Sequence, residues 1–531
     1  MRRALAVLLL VFAAALTLSG AAGARVLRVG TYHGSRGQFR TIQAAVRAAH
    51  PGDWILLAPG DYKTGPGSIT TPKGAKDVPA AVLITQAGLH LRGMNRNSVI
   101  VDGTRPGSRV CSRSGSAQNF GLKVRKHRPS GVNGIEIYKA GHVSIENLTV
   151  CNFLGGSQKA GNGIWWNGGD GSGKVQGYGF YGGYLSATST YLKNKSAAGE
   201  YTAAQYGIFS SNWSGGTWNQ IYASNFNDSG FYIGACQQIC NQTLNHGHAQ
   251  YSALGYSGSN SGGRLLIENS EFDHNEDGFD TNSFNGDRPA PQNGACPAGV
   301  KPPVAGAHTC WVFFHNNVHD NNNPNVPAAG SAAAGPVGTG LSVSGGRNDT
   351  IMDNTFTHNN AWGLIFVPYL DTGKPCVSGT YGGAFGPKSC LWDDWGDALV
   401  GNSFSSNGSY GHPSNGDFGQ INLETHPTNC YSGNHETGGG AITPAGAQQL
   451  QTTHPACNRT PQTAGSSSVK SFLGEVLCDS QIQISRRTPA ACPSGPYPRA
   501  TRIVMRPLAK QRTMPNPCAG VPANPWCRRR A

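Results

Sequence analysis

The chain has 531 residues, 13% charged and 38% hydrophobic, with 74 glycines, 32 prolines and 14 cysteines. Its net charge of +14 is unevenly placed: ten Lys and Arg follow Gln481 and no acid does, so a nearly neutral body precedes a basic tail. That tail suits an anionic surface, but no motif for specific nucleic-acid recognition accompanies it, and no apolar run beyond the first 24 residues is long enough to span a bilayer.

The opening MRRALAVLLLVFAAALTLSGAAGA reads as a secretory signal peptide over residues 1–24. Arg2 and Arg3 form its basic region, an apolar run reaches Leu18, and Ala22-Gly23-Ala24 supplies a small-residue cleavage site. The expected product is secreted, extracellular and monomeric. Oxidising surroundings let cysteines persist as disulfides. Cys296/Cys310 and Cys376/Cys390 each bracket a Gly/Pro-rich segment and are the local pairs that spacing favours.

Residues 39–62, FRTIQAAVRAAHPGDWILLAPGDY, predict a short capping helix near 41–50 followed by a strand. Ile42, Ala45, Val46 and Ala49 fall on one helical face, Thr41 caps its start, and Pro51-Gly52 stops it. Beyond it, short apolar runs alternate with Asn/Gly clusters, which argues for many short strands. A pattern N-x-x-G-[FL] recurs at Asn227, Asn275 and Asn360, the first two 48 residues apart, or two coils of about 24. A second repeat places Asn269, Asn317, Asn354 and Asn402 after apolar runs, and these are expected at equivalent corners of different coils. Such a period, with glycine at turns, is what a parallel β-solenoid requires, each coil advancing about 4.8 Å. Segments 286–310, 324–336 and 371–393 interrupt the period and read as projecting loops. The fold expected is all-β: a right-handed parallel β-helix over 25–436, then a Cys-rich, basic and partly disordered extension over 437–531.

The stretch FDHNEDGFDTNSFN at 272–285 gathers Glu276, Asp277 and Asp280 in a charge-poor chain. Alternation places Asp280 outward, with Glu276 and Asp277 on the adjoining turn. Three carboxylates on one exposed ledge repel unless a cation compensates, and an oxygen-only set suits Ca²⁺; a solvated acidic turn is the plain alternative. The other two copies of the motif carry Asp-Ser and Ala-Trp at the corresponding positions. A second cluster, Asp393, Asp394 and Asp397, reads as loop decoration or a second ledge, and His246 and His248 fit no metal signature. Projecting loops can wall a groove, in which Arg288, Trp362, Tyr369 and Trp392 are the residues expected to meet a sugar chain.

The 39–62 stretch, followed by LHLRGMNRNSVIVDG, resembles the opening of the right-handed parallel β-helix proteins of the pectin-lyase-like superfamily. The segment NEDGFD is also similar to the Asp-Asp-Gly-x-Asp calcium ledge of polysaccharide lyase family nine. That resemblance implies Glu276, Asp277 and Asp280 as calcium ligands and calcium-assisted β-elimination as the chemistry. It also implies a catalytic lysine on a following coil, but GTGLSVSGG at 338–346 puts Ser342 there. The function implied is action on, or binding of, a polysaccharide or cell-surface glycan. The alternative is a non-catalytic β-helix serving as a glycan-binding or structural surface.

Overall fold

Three strands and two sharp corners make one coil, and Leu265–Glu268, Glu271–Asp273 and Asp277–Asn282 show the pattern. Between them Asn269 and His274 take positive φ values of 49° and 55°, a conformation that Asn and His adopt more readily than branched residues. The next coil repeats the arrangement with Trp311–Phe314, Asn317–His319 and Thr339–Ser344, each in parallel register with its predecessor. Ten strands from Ala80–Ile84 to Gly416–Gln420 form one sheet in strict chain order, and the other two strands of each coil join a 19-stranded sheet. This is the expected right-handed parallel β-helix. The computed structural model describes residues 23–527 apart from 64–79, 123–128, 157–159, 194–202, 237–238, 331, 379, 382–388, 422–428, 458–465 and 481–491; most of the expected signal peptide lies outside the described residues.

The interior is a set of stacked rows. Along the ten-stranded sheet, Ile164, Ile208, Phe231, Tyr256, Phe279, Leu341, Leu364 and Phe418 follow one another at equivalent positions, all fully buried. Tyr256 and Phe279 stack with centroids 4.1 Å apart and planes within 4°. Burying each such side chain is worth roughly 1.5–3 kcal/mol, an amount a single coil could not collect alone. Gly278 lies within its strand rather than at a turn, and it is required by close approach. A Cβ there would sit 2.5 Å from the Gly340 carbonyl oxygen and 2.6 Å from the Asn321 amide nitrogen.

The N-terminal end is closed by the helix Ile42–Ala48, with Thr41 accepting from the Ala44 N–H and Ile42, Ala45, Val46 and Ala49 buried. All 14 cysteines are paired, including Cys296–Cys310 and Cys376–Cys390.

Corner amides run in ladders. Asn316 N–H donates to the Asn354 side-chain oxygen at 2.8 Å, Asn354 to Asn402 at 3.0 Å, and Asn402 to Asn434 at 3.1 Å. A second ladder joins Asn275, Asn321, Asn359 and Asn407. The expected register is therefore corrected at two of its four residues. Ser270 and Asn316 occupy the ladder positions assigned to Asn269 and Asn317, because each of those asparagines stands one residue along. The exposed Asn269 instead donates to Asn245.

The extension is not a loose basic arm over its described residues. The helix Ala445–Thr453 closes the C-terminal end, where Gln451 accepts from Asn434 N–H. From 499 onward the chain turns back and runs the length of the solenoid toward its first coils. Corner asparagines grip its backbone: Asn225 exchanges two hydrogen bonds with Arg506, and Asn97 exchanges two with Gln511. Trp526 ends against Leu56, Ala58 and Met94, with its ring N–H donating to the Ser35 carbonyl.

A third ladder carries acids. Asp349 N–H donates to Asp397 Oδ1 at 2.7 Å and Asp397 N–H donates to Asn429 Oδ1 at 2.9 Å. Among the described residues, the remaining oxygens of both aspartates are buried without a hydrogen-bond partner, where an asparagine would present a donor. Asp393, Asp394 and Asp397 are thus neither an exposed ledge nor loop decoration, being at most 1% exposed. Burial pushes the Asp349 and Asp397 carboxyls well up, and for Asp397 the charge of Asp349 adds to it. The folded state holds protons there that the unfolded chain has released, so stability falls as pH rises above the ordinary carboxylate range. Each pKa unit corresponds to about 1.4 kcal/mol. Asp397→Asn is expected to raise the melting temperature at pH 8 more than at pH 5; a variant less stable at both pH values would contradict protonated aspartates in this ladder.

Candidate functional site

Each strand of the ten-stranded sheet sends alternate side chains outward. Leu364 and Phe366 join the interior, whereas Trp362, Ile365 and Val367 lie in a separate outer cluster. The position of Ile365 defines an outward row: Glu136, Trp165, Phe209, Tyr232, Ser257, Asp280, Ser342 and Ile365 on successive coils. After the buried Glu136 it is aromatic for three coils. Trp165 and Phe209 stack at 4.9 Å with planes within 5°, and Tyr232 meets Phe209 edge-on at 4.7 Å. Tyr206, one row over, stacks on Phe209 at 4.6 Å.

Beyond Ser257 the row reaches Asp280 and the serines around it. Ser342 Oγ donates to Asp280 Oδ1 at 2.7 Å and lies 3.3 Å from Asp277 Oδ2, and Ser344 Oγ donates to Asp280 Oδ1 at 2.9 Å. Asp277 and Asp280 are therefore brought together on one face. Asp277 is not on an exposed ledge, however. It is fully buried as the floor of the face, because the chain near Gly335 covers it. Glu276 makes no hydrogen bond within the described group: Gly338 donates to its backbone carbonyl, and its carboxylate feels Arg499 of the returning extension while adding its charge to Asp277. Burial pushes Asp277 well up, with the charge of Asp280 adding to it. Burial also raises Asp280 to about 6, opposed by the Ser342 and Ser344 hydroxyls.

Two coils earlier, Asp228 faces the same region. Burial lifts it to about 7 against the lowering effect of a hydrogen bond from the Tyr206 phenol, and the charges of Asp287 and Asp280 push it further up. Tyr232 donates to Asp287. The group thus comprises Tyr206, Asp228, Tyr232, Asp277, Asp280, Asp287, Ser342 and Ser344. Sequence reasoning found Asp277 and Asp280 and noted Ser342, and it missed the rest. The missed signal was positional: in the Asn227 copy of the N-x-x-G motif, Asp228 takes the place that Glu276 takes in the Asn275 copy.

Of the residues expected to meet a sugar chain, two are closed off. Trp362 is fully buried under Phe472 and Tyr497 of the extension, with centroids 5.7 and 5.9 Å away, and its ring N–H is taken by the Ser414 carbonyl. Trp392 is 1% exposed, packed between loop strands with its ring N–H directed to Asn285 Oδ1 at 3.4 Å. The half-buried Tyr369 does reach the face; burial raises its phenol to about 12, with Asp280 contributing. Arg288 is exposed at the rim, beside Gly173. The two expected loops meet there, Asn285 donating to Asp371 Oδ1 at 2.8 Å and accepting from Thr372 N–H at 2.9 Å.

The oxygen donors that converge are two carboxylates and two serine hydroxyls, without Glu276. Ca²⁺ takes six to eight oxygens, so these side chains alone do not complete its shell. Removing the phenol that stabilises the Asp228 carboxylate should raise its midpoint above about 7. Tyr206→Phe is expected to move the corresponding carboxyl band upward in a pH-difference infrared titration, and an unmoved or lowered midpoint would break the assignment.

No protein-family model matches the sequence, and no curated protein matches it. Among solved structures the chain is similar to the A-module of the Azotobacter vinelandii mannuronan C-5 epimerase AlgE4, at 12% identity over 76% of this chain and 89% of that one, with a TM-score of 0.41. It is similar to the periplasmic alginate epimerase AlgG at 13% identity over 72% and 77%, TM-score 0.37. A Paenibacillus sp. str. FPU-7 alginate lyase matches at 11% identity over 78% and 96%, TM-score 0.30. Likenesses this distant leave the acidic face to be read from its own chemistry. The chain is a right-handed parallel β-helix whose ten-stranded sheet carries aromatic and acidic side chains in one outward row.

Proposed function

We propose that the outer face of the ten-stranded sheet binds a polysaccharide, and that Asp228 and Asp280 exchange protons with the linkage between two sugars. The observation that carries this is a continuity: the Trp165–Phe209–Tyr232 run leads, one coil at a time, to carboxyls raised to about 7 and about 6. Aromatic faces offer broad apolar contact to sugar rings. A carboxyl near 7 is half protonated at neutral pH and can donate, while one near 6 is mostly ionised and can accept, the separation that acid–base catalysis uses.

In hydrolysis, the Asp228 proton passes to the linkage oxygen as the carbon–oxygen bond breaks. Water adds to the anomeric carbon and gives its proton to Asp280. This reading is preferred over β-elimination on the residues themselves. Ser342 donates its hydroxyl proton to Asp280 and is no base, and the mostly ionised Asp280 repels a uronate polymer unless a cation screens it. The calcium expected from the resemblance would be held by Asp277 and Asp280 with Ser342 and Ser344, and when bound it would neutralise a substrate carboxylate. Its own readout is a rise in melting temperature with Ca²⁺ that Asp280→Asn abolishes.

The function is tested on a panel of neutral and uronate polysaccharides, following new reducing ends and unsaturated products separately. New reducing ends without unsaturated product are expected, with Asp228→Asn and Asp280→Asn each lowering the rate by about 100-fold or more. Unsaturated product, or full activity in Asp280→Asn, would refute the hydrolytic reading. Binding without turnover, weakened by Trp165→Ala, would identify a non-catalytic glycan-binding face.

A further inference from the structure

The 19-stranded sheet carries its own cluster of chemically competent side chains, outside the acidic face. His248 comes from the strand Gln242–Gln250, Glu271 and Asp273 from the strand of the next coil, and His319 from the coil after that. The parallel register sets His248 beside Glu271, and Asp273 beside His319. His248 Nε2 lies 2.7 Å from Asp273 Oδ1, and its Nδ1 lies 3.8 Å from Glu271 Oε2. One ligand atom from each of His248, Glu271 and Asp273 falls within 4.8 Å of the other two. His319 Nε2 is 3.1 Å from the other Glu271 oxygen.

We propose that His248, Glu271 and Asp273, joined by His319, form a binding site for a divalent transition metal of the zinc type. Imidazole nitrogen with carboxylate oxygen is the donor mixture that suits Zn²⁺ and its neighbours rather than Ca²⁺ or Mg²⁺. Metal–ligand bonds near 2.0–2.1 Å place tetrahedral ligands about 3.3 Å apart, so small side-chain rotations close the present spacing. The surroundings are those of a supported site. His274 Nδ1 holds the second Asp273 oxygen at 2.6 Å, and Asp320 holds His319 Nδ1 at 2.8 Å. Such outer partners orient ligands and set their basicity. Asp273 is 8% exposed in its side chain, His319 18% and His248 30%, so the ligands form a shallow site that an ion can enter from solvent.

Neighbouring elements add the ring of Tyr222, 5.5 Å from His248, and that of Tyr251, 5.4 Å from His274, itself under the Arg506 guanidinium. Metal binds the unprotonated imidazole nitrogen, so affinity rises with pH.

The test uses the full chain without a histidine tag, stripped with chelator and titrated calorimetrically with Zn²⁺ alone in two buffers of different ionisation heat. One equivalent is expected to bind, and Co²⁺ should occupy the same site and give a visible ligand-field spectrum. His248→Ala and Asp273→Asn should abolish binding, and His274→Ala should weaken it by about tenfold. The groove variant Asp280→Asn should leave it unchanged, which separates this proposal from the hydrolytic reading. Thermal unfolding in chelator checks that His248→Ala is folded. Absence of stoichiometric binding in the wild type, or unchanged binding in a folded His248→Ala, would overturn the site.

Discussion

At each corner of a coil the backbone breaks out of its sheet, and an N–H group points along the solenoid axis with no strand opposite it. Buried and unpaired, each such group would cost roughly 1–3 kcal/mol. Asparagine resolves the conflict because one amide both accepts and donates. In the Asn316–Asn354–Asn402–Asn434 series the side-chain oxygen takes the N–H of the preceding coil while the side-chain nitrogen reaches a carbonyl. The same requirement excludes a Cβ at Gly278, whose place is filled by the Asn321 amide. Corner chemistry thus fixes the register, and the register decides which side chains share the outer face.

The architecture was legible because solenoid sequences repeat their constraints. The cap helix, the coil period and two loop disulfides follow from local spacing, and 42–49 folds as its apolar pattern requires. What the Asn positions left ambiguous was a one-residue choice: HNN at 315–317 offers two candidates, and only the packing of a neighbouring coil selects Asn316. Part of the acidic face was also within reach. The segments GIWWN, GIFSS, GFYIG, GYSGS, GFDTN, GLSVS and GLIFV, from 163 to 367, align on their glycines, and the third residue of each is outward. Reading that column yields Trp165, Phe209, Tyr232, Ser257, Asp280, Ser342 and Ile365. The burial of Trp362 was not legible, since it depends on a helix more than a hundred residues later whose docking has no local periodic signature.

The two sheets divide the chemistry. On the ten-stranded sheet, burial lifts carboxyls toward neutral pH because few partners stabilise their charge. On the 19-stranded sheet, carboxylates alternate with imidazoles and each satisfies the other. The same residue type is thus tuned in opposite directions by what stands one coil away, a separation of about 4.8 Å. Neutral serines beside Asp280 and histidines beside Asp273 make the difference.

The returning chain from 499 to 527 changes the topology of stability. A simple stack of repeats is a one-dimensional array, free to fray from either terminus, with each unit held only by its neighbours. Here the last described residues are seated on the first coils, Trp526 against Leu56 and Met94, and Arg92 donates to the Pro517 and Ala519 carbonyls. The returning segment ties the last coils to the first, so the two ends are no longer independent. Nascent chains cannot complete that closure until residues 499–527 have been made, so the earliest coil is fastened only after every coil between has been synthesised.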